Sequence, residues 1–486
     1  MRLLTSATLL LLLCAPLAAQ TIEAVEMAPA TLEQLARASV VQPPGELEKR
    51  PRPARAATRS TRAAIVADFV TVTNGIPAPP AARGFKASFD PLPGATTGYA
   101  PPDASGAVGP HHVVGAFNNS LTVHDRNGNL LSPPPLSIYQ FWHDPAFADT
   151  TVTDPRVMYD AANDRWALAM LGGDHFGVLL LAFSSTGDPA GLWRRFRINA
   201  NPANVSAGLD FTRMAMTADQ IVVTANEFVG EPFTGANVYT IAKSAAFSPV
   251  AAVSASLTHS SSDFDFTPVT SRDATIRIAT QDGPGILLYE LRGNALVEVN
   301  DVAPPVSFGA GPGLCDQLAT GVKVECDDTE LHYAFVRDGV LWIVHSAYAG
   351  RGVIVVWKIT GGTAKGFVIG DPSFDYGYPS LAVNRLGAAL LGYEVFDRSI
   401  YPSAAYRYID PSGIVSDPVT VKSGESWFGF QRWGDYSSTL VDPVDDTSFW
   451  TIQEYGTPAS ISGSHNTWGT WWTYVKITPR MRAVRH

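Results

Sequence analysis

The sequence predicts an all-β fold, a single β-propeller, and three observations carry that expectation. A module of one β-branched or aromatic run, a turn, and two further runs recurs seven times, its starts spaced 47 to 66 residues apart. From residue 103 onward no amphipathic helical period interrupts the series. The composition agrees, with 41 Gly, 36 Pro and 10% aromatic residues suited to many turns and to packing on pleated surfaces.

The modules begin at Ala107, Arg156, Phe211, Asp265, Leu331, Tyr378 and Tyr436. In the second, Val157–Tyr159 reads as a strand, Asp160–Asp164 as a polar turn and Trp166–Leu171 as the returning strand. DRNG at 125–128, VRDG at 336–339 and VNRLG at 383–387 occupy the equivalent turn and supply residues able to take positive φ. Repeats of this length that bury both faces against their neighbours form propellers. Seven blades is the count, with six and eight as its neighbours.

Four regions follow. Residues 1–19 carry one Arg, an apolar run from Ala7 to Cys14, Pro16 and small residues before Gln20, the pattern of a secretory signal peptide. That run is too short for the roughly 20 residues that span a bilayer, and the chain is expected in the periplasm or outside the cell. Residues 20–88 are rich in Pro, Ala and Arg and read as a flexible leader or propeptide, with a short helical patch at 32–38 and a dibasic Lys49–Arg50 pair. The propeller is assigned to 89–480 and a tail to 481–486. Residues 1–88 hold 10 Lys and Arg against 6 Asp and Glu, which leaves 25 against 39 and a net charge of −14 beyond residue 88. An acidic body of this kind excludes nucleic acid as a partner, because phosphate binding needs clustered cations.

With the signal segment set aside, two cysteines remain, Cys315 and Cys326. In an exported chain they read as a local disulfide worth about 3 kcal/mol or less, and a metal site lacks further ligands at zinc spacing.

Four blocks add a resemblance. PPDASGAVGPHHVV at 101–114, DPRVMYDAANDRW at 154–166, SSTGDPAGLW at 184–193 and RWGDYSSTLVDPVDDTSFWTIQEY at 432–455 resemble the signature blocks of a group of secreted bacterial β-propeller proteins, mostly uncharacterised. The resemblance runs from about residue 95 to 478 and implies the fold and export, without an activity. A more distant similarity is to sialidases: Ser185–Trp193 has the Ser, Asp, Gly and Trp of an Asp box, with one extra residue and no second copy.

Residues just before an innermost strand converge on one mouth of a propeller channel. Here those positions hold Asp103, Asp154, Arg156, Asp210, Arg213, Asp263, Asp265, Asp375, Tyr376, Tyr378, Arg432, Asp435 and Tyr436. One reading makes them structural, as turn caps and interblade ion pairs. A second makes the protein a binder of an extracellular glycan or protein, with Asp103, Arg156, Arg213, Asp265, Tyr376, Tyr378, Arg432 and Tyr436 as contacts. A third makes it a glycoside hydrolase with Asp154, Asp210 and Asp435 as candidate carboxylates, backed by Glu227 and Glu454 on second strands. The same oxygens suit a hard cation such as Ca²⁺. Trp142, Trp427, Trp433, Trp468, Trp471 and Trp472 read mainly as core of the last blade and its neighbours, with a sugar platform as the alternative. His111 and His112 are adjacent and point to opposite faces of a strand, a poor start for a metal pair. GxSxG, HExxH, Walker and dinucleotide motifs are absent from the sequence.

Overall fold

The computed structural model describes residues 20–38, 64–87, 101–132, 136–147, 151–283, 285–304, 313–326, 330–458 and 468–477. The signal segment, Lys49–Arg50 and the tail lie outside these residues.

The strands form a seven-bladed propeller. The innermost strands are Ser105–Val108, Val152–Asp160, Ala207–Met216, Thr267–Thr270, Leu331–Arg337, Asp375–Val383 and Ser438–Val441, in blades 1 to 7. Each blade continues outward as an antiparallel meander of adjacent strands. Innermost strands touch their neighbours all the way round, and the seventh meets the first, so the ring closes. Between blades 4 and 5 the contact becomes a parallel ladder, Val269 opposite Ala334 and Thr270 opposite Phe335.

The expected turns have the expected backbone. Gly128 sits at φ 90°, Asp338 and Gly339 at 51° and 77°, and Gly387 at 76°, a left-handed region where Gly and Asp carry the least steric penalty. The core lies between blades as separate apolar layers. Leu179, Leu181, Ile221 and Val223 pack between blades 2 and 3, and Ile286 and Leu288 of blade 4 pack with Ile343, Val355 and Trp357 of blade 5.

The stretch expected as a flexible leader divides. Gln20–Glu23 pairs with the outer strand of blade 3, and Val25–Glu26 and Ala30–Thr31 pair with that of blade 2. Helix Leu32–Ala36 follows, with a Thr31 and Gln34 capping box, and it buries Leu32 and Leu35. Farther on, Ile65–Val66 joins blade 4 and Asp68–Val72 joins blade 5, both in parallel. Ile76 bridges Ser416 in blade 6, and Arg83–Lys86 becomes the fourth strand of blade 7. Residues 20–38 and 64–87 are therefore edge strands of the propeller.

The disulfide forms between Cys315 and Cys326, with Cα atoms 5.7 Å apart. It closes a hairpin in the long passage from blade 4 to blade 5, and this hairpin reaches blades 6 and 7. The Gln317 amide donates to Phe428 O at 2.8 Å, and Phe428 N–H donates back to Gln317 Oε1 at 2.8 Å. No helix of the described residues is long and apolar enough to cross a membrane.

Candidate functional site

The entry to the innermost strands is built by a repeated backbone device. Asp103, Asp154, Phe211, Asp265 and Tyr378 all hold positive φ, between 49° and 67°. In several blades the ladder slips there, between Thr153 and Arg156, Asp210 and Arg213, Leu331 and Tyr333, and Gly377 and Ser380. Such bulges turn a strand and re-aim its side chains. Asp tolerates this conformation; for Phe211 and Tyr378 it is strained, by about 1–3 kcal/mol each.

Side chains from one blade clasp the backbone of another across these kinks. Asn118 in blade 1 accepts Asp154 N–H at 3.0 Å and donates to Asp103 Oδ2 at 2.7 Å. Asn226 in blade 3 accepts Asp265 N–H at 2.8 Å. Glu454 in blade 7 accepts Ala104 N–H at 3.0 Å, and Asp103 accepts Asp435 N–H at 2.9 Å. Asp154 Oδ2 accepts Thr212 N–H from blade 3 at 3.2 Å. Asn118, Asn226 and Glu394 were not anticipated. All three lie at the end of a module's second run, the place that Glu227 and Glu454 also occupy, and that shared position is their signal in the sequence.

The structure brings together Asp103, Asp154, Arg156, Arg432, Asp435 and Tyr436. Arg432 forms a fork with Asp435, at 3.0 and 2.8 Å, and reaches Glu325 of the disulfide hairpin at 2.7 Å. Tyr436 from blade 7 crosses the ring, donating to Asp154 Oδ2 at 3.0 Å and stacking on Phe211 of blade 3 at 5.2 Å. Arg156 from blade 2 places its guanidinium 4.6 Å from the Tyr436 ring centre and 5.2 Å from that of Tyr333 in blade 5. Side chains from blades 2, 3, 5 and 7 thus meet on the axis, and the entry end is closed where an open mouth was expected.

Burial sets the electrostatics. It raises the Asp103 carboxyl well above the usual range, helped by Asp435 and Asp154 and opposed by Arg432. Asp154 is raised by burial and by Asp435, against hydrogen bonds from Thr153, Thr212 and Tyr436. Glu454 is raised by burial and then by Glu394, whose carboxylate accepts Glu454 N–H at 2.9 Å. For Arg432 burial acts downward, but Asp435, Glu325 and Asp103 hold the guanidinium well above its ordinary value.

Other predicted residues lie elsewhere. Arg213 pairs with Asp265. Asp210 is half-buried at the bulge of blade 3, and Glu227 is held by Asn201, Thr234 and Asn237 inside that blade. Tyr376 packs in the core of blade 6, 4.6 Å from Tyr393, with Arg407 over its ring. Tyr378 is buried against Phe396 and His332. Asp263 is bound by Ser260 and Tyr289, and Asp375 by Arg351 and Gly352 N–H. Trp142, Trp433, Trp468 and Trp472 are core, while Trp427 and Trp471 are half-buried. His112 faces Asp188 at 3.7 Å. Among the described residues, no three His, Cys, Asp or Glu side chains are grouped to hold a metal ion.

Beyond the plug the channel widens into a cavity of about 250 Å³ bounded by residues of all seven innermost strands. Arg156, Arg213, His332 and Tyr333 line its inner end. Met158, Met214, Val336, Val383 and Val441 line it farther out, and Arg272 and Arg337 sit at the exit end. Asp103, Asp154, Asp210, Asp435, Glu227 and Glu454 do not line it.

No family model matches the chain, and no curated protein matches it. Solved structures with some likeness include a protein of unknown function from Dyadobacter fermentans, 12% identical with a TM-score of 0.39, covering 66% of this chain and 94% of that one. A Penicillium chrysogenum α-L-arabinanase solved with arabinobiose is 12% identical with a TM-score of 0.30, covering 52% and 89%. A puromycin-hydrolyzing peptidase of Mycobacterium tuberculosis is 12% identical with a TM-score of 0.40, covering 79% and 53%. At such identities and scores no activity of those proteins carries over to this chain.

Proposed function

We propose that the protein is an exported binding propeller whose ligand occupies the central channel from the exit end. The observation that carries this reading is the cavity of about 250 Å³, framed by all seven innermost strands and lined by two guanidinium-bearing residues at its inner end. Concave, mostly apolar sites with a few converging polar groups are the usual form of small-ligand pockets. A cavity of this size suits a small molecule or one terminal group of a glycan, and it is too narrow for a folded protein.

The hydrolytic alternative needs two carboxylates facing a bound sugar. Asp154 is engaged by Thr153, Thr212 and Tyr436, Asp435 by Arg432, and Glu454 by Ala104 N–H. These contacts support interblade clasps over acid and base roles.

The test fills the channel. Ala334, which lines the cavity and also packs in the core between blades 4 and 5, is changed to Phe, circular dichroism establishes that the variant is folded, and both proteins are screened by thermal shift against small organic acids and oligosaccharides. Compounds that stabilise the wild type should lose their effect on Ala334→Phe; stabilisation that survives the substitution would place the ligand elsewhere.

A further inference from the structure

Arg156 is the group on the channel axis that the protein itself does not neutralise. It is 4% exposed, and among the described residues it forms no ion pair and its Nη1 has no hydrogen-bond partner. Two aromatic faces, Tyr333 and Tyr436, flank the guanidinium. They partly offset the loss of water but cannot accept its N–H groups as an oxygen would. Arg213 on the adjacent blade repeats the pattern in part. Asp265 takes its Nη1, while Nη2 is buried without a partner. Both residues line the same cavity. A buried cation left unpaired is strongly destabilising, and an incoming anion removes that penalty.

We infer that the channel takes an organic anion, one carboxylate-like head on a short apolar tail, with Arg156 as the anchor of the head group. This rests on the channel being the ligand site. The planar guanidinium fork matches a carboxylate in two-point contact, and Met158, Met214, Val336 and Val441 supply walls for an apolar tail. The overall acidity of the chain, a formal charge of −10, works against anion binding in general, so selectivity has to come from the enclosed guanidinium.

The experiment uses the full chain with octanoate as probe and octanol as its neutral counterpart, read by calorimetry and by NMR of ¹³C-methyl methionine at Met158 and Met214. Octanoate should bind, shift both methyls and be preferred over octanol. Arg156→Gln should weaken octanoate by about tenfold or more, the scale of one charged hydrogen bond, with octanol unaffected and Arg156→Lys intermediate. Circular dichroism establishes that each variant is folded. Equal binding of both probes that moves the methyls, unchanged in Arg156→Gln, overturns the anion while leaving the channel as the site. Octanoate binding that leaves Met158 and Met214 unmoved overturns the channel as the site, and no binding of either probe overturns the ligand class.

Discussion

Tyr436 closes the channel from one side of the ring to the other, and a single atom measures how tightly. Its hydroxyl is one of two hydrogen-bond donors to Asp154 Oδ2, the other being Thr212 N–H. Tyr436→Phe keeps the stack on Phe211 and removes one bond to a fully enclosed carboxyl. Stability measured by urea unfolding should fall by about 1–3 kcal/mol; a loss below about 0.5 kcal/mol would mean that the bond contributes little. Glu454 makes a second prediction. Its carboxyl is raised by burial and by Glu394, so the folded protein retains a proton that the unfolded chain releases above about pH 4.3. The stabilisation from this group is fully present below that pH and is lost as pH rises through the folded value, by up to about 1.4 kcal/mol per pH unit. Glu454→Gln carries no titrating proton and can still accept Ala104 N–H, so its stability should vary less between about pH 5 and 8. An unchanged slope would assign the pH dependence to other groups. Asp103 and Asp154 of this cluster, like Asp265 beside it, were legible in sequence because Asp recurs where a left-handed kink opens an innermost strand. Their partners were less so: FNNS, TANEF and GYEV share a place at the end of the second run, but which blade each side chain reaches depends on the angle between sheets.

The disulfide hairpin shows the same limit for an element. Two cysteines with a sequence separation of 11 were enough to expect a local bond. That the loop between them packs on blades 6 and 7 could not be read, because those contacts join residues about a hundred positions apart, such as Gln317 with Phe428 and Glu325 with Arg432. The hairpin is therefore the outer cover of the closed channel end, and Glu325 is the outer counter-charge of Arg432. Replacing both cysteines by Ala should lower stability by about 3 kcal/mol or less and open residues 313–326 to limited proteolysis, with the seven blades still folded. Far-ultraviolet circular dichroism together with mapping of the first cleavage site checks this. Loss of the whole β signal would show that the hairpin holds the ring itself.

At the scale of the molecule, the N-terminal segments carry the weakest pattern in the sequence, and the physical reason is their length and their place at blade edges. Gln20–Glu23, Val25–Glu26 and Ile65–Val66 are edge strands of only two to four residues, too short for a two-residue alternation to stand out against Pro and Ala. Collectively they supply outer strands or bridges to blades 2 to 7 and cover edges that would otherwise present open hydrogen-bonding groups. Arg83–Lys86 has a further role, because it completes blade 7 from the opposite end of the chain, pairing Phe85 with Trp472 and Lys86 with Trp471. Ring closure therefore ties the two ends of the fold together, whereas the segment at 20–38 only caps blades 2 and 3. A cut within 39–63, as the dibasic Lys49–Arg50 pair suggests, should leave the 20–38 peptide bound through its strands and through Met27, Leu32 and Leu35, which are all at most 5% exposed. Gel filtration after such a cut should recover the peptide with the propeller, and urea should release it. Removal of residues 1–63 should give a folded but less stable ring, while removal of 1–87 should leave blade 7 one strand short and the product aggregated. If the shorter chain lacking 1–87 folds as stably as the chain lacking 1–63, closure does not depend on the Arg83–Lys86 strand, and the contacts between innermost strands alone hold the ring.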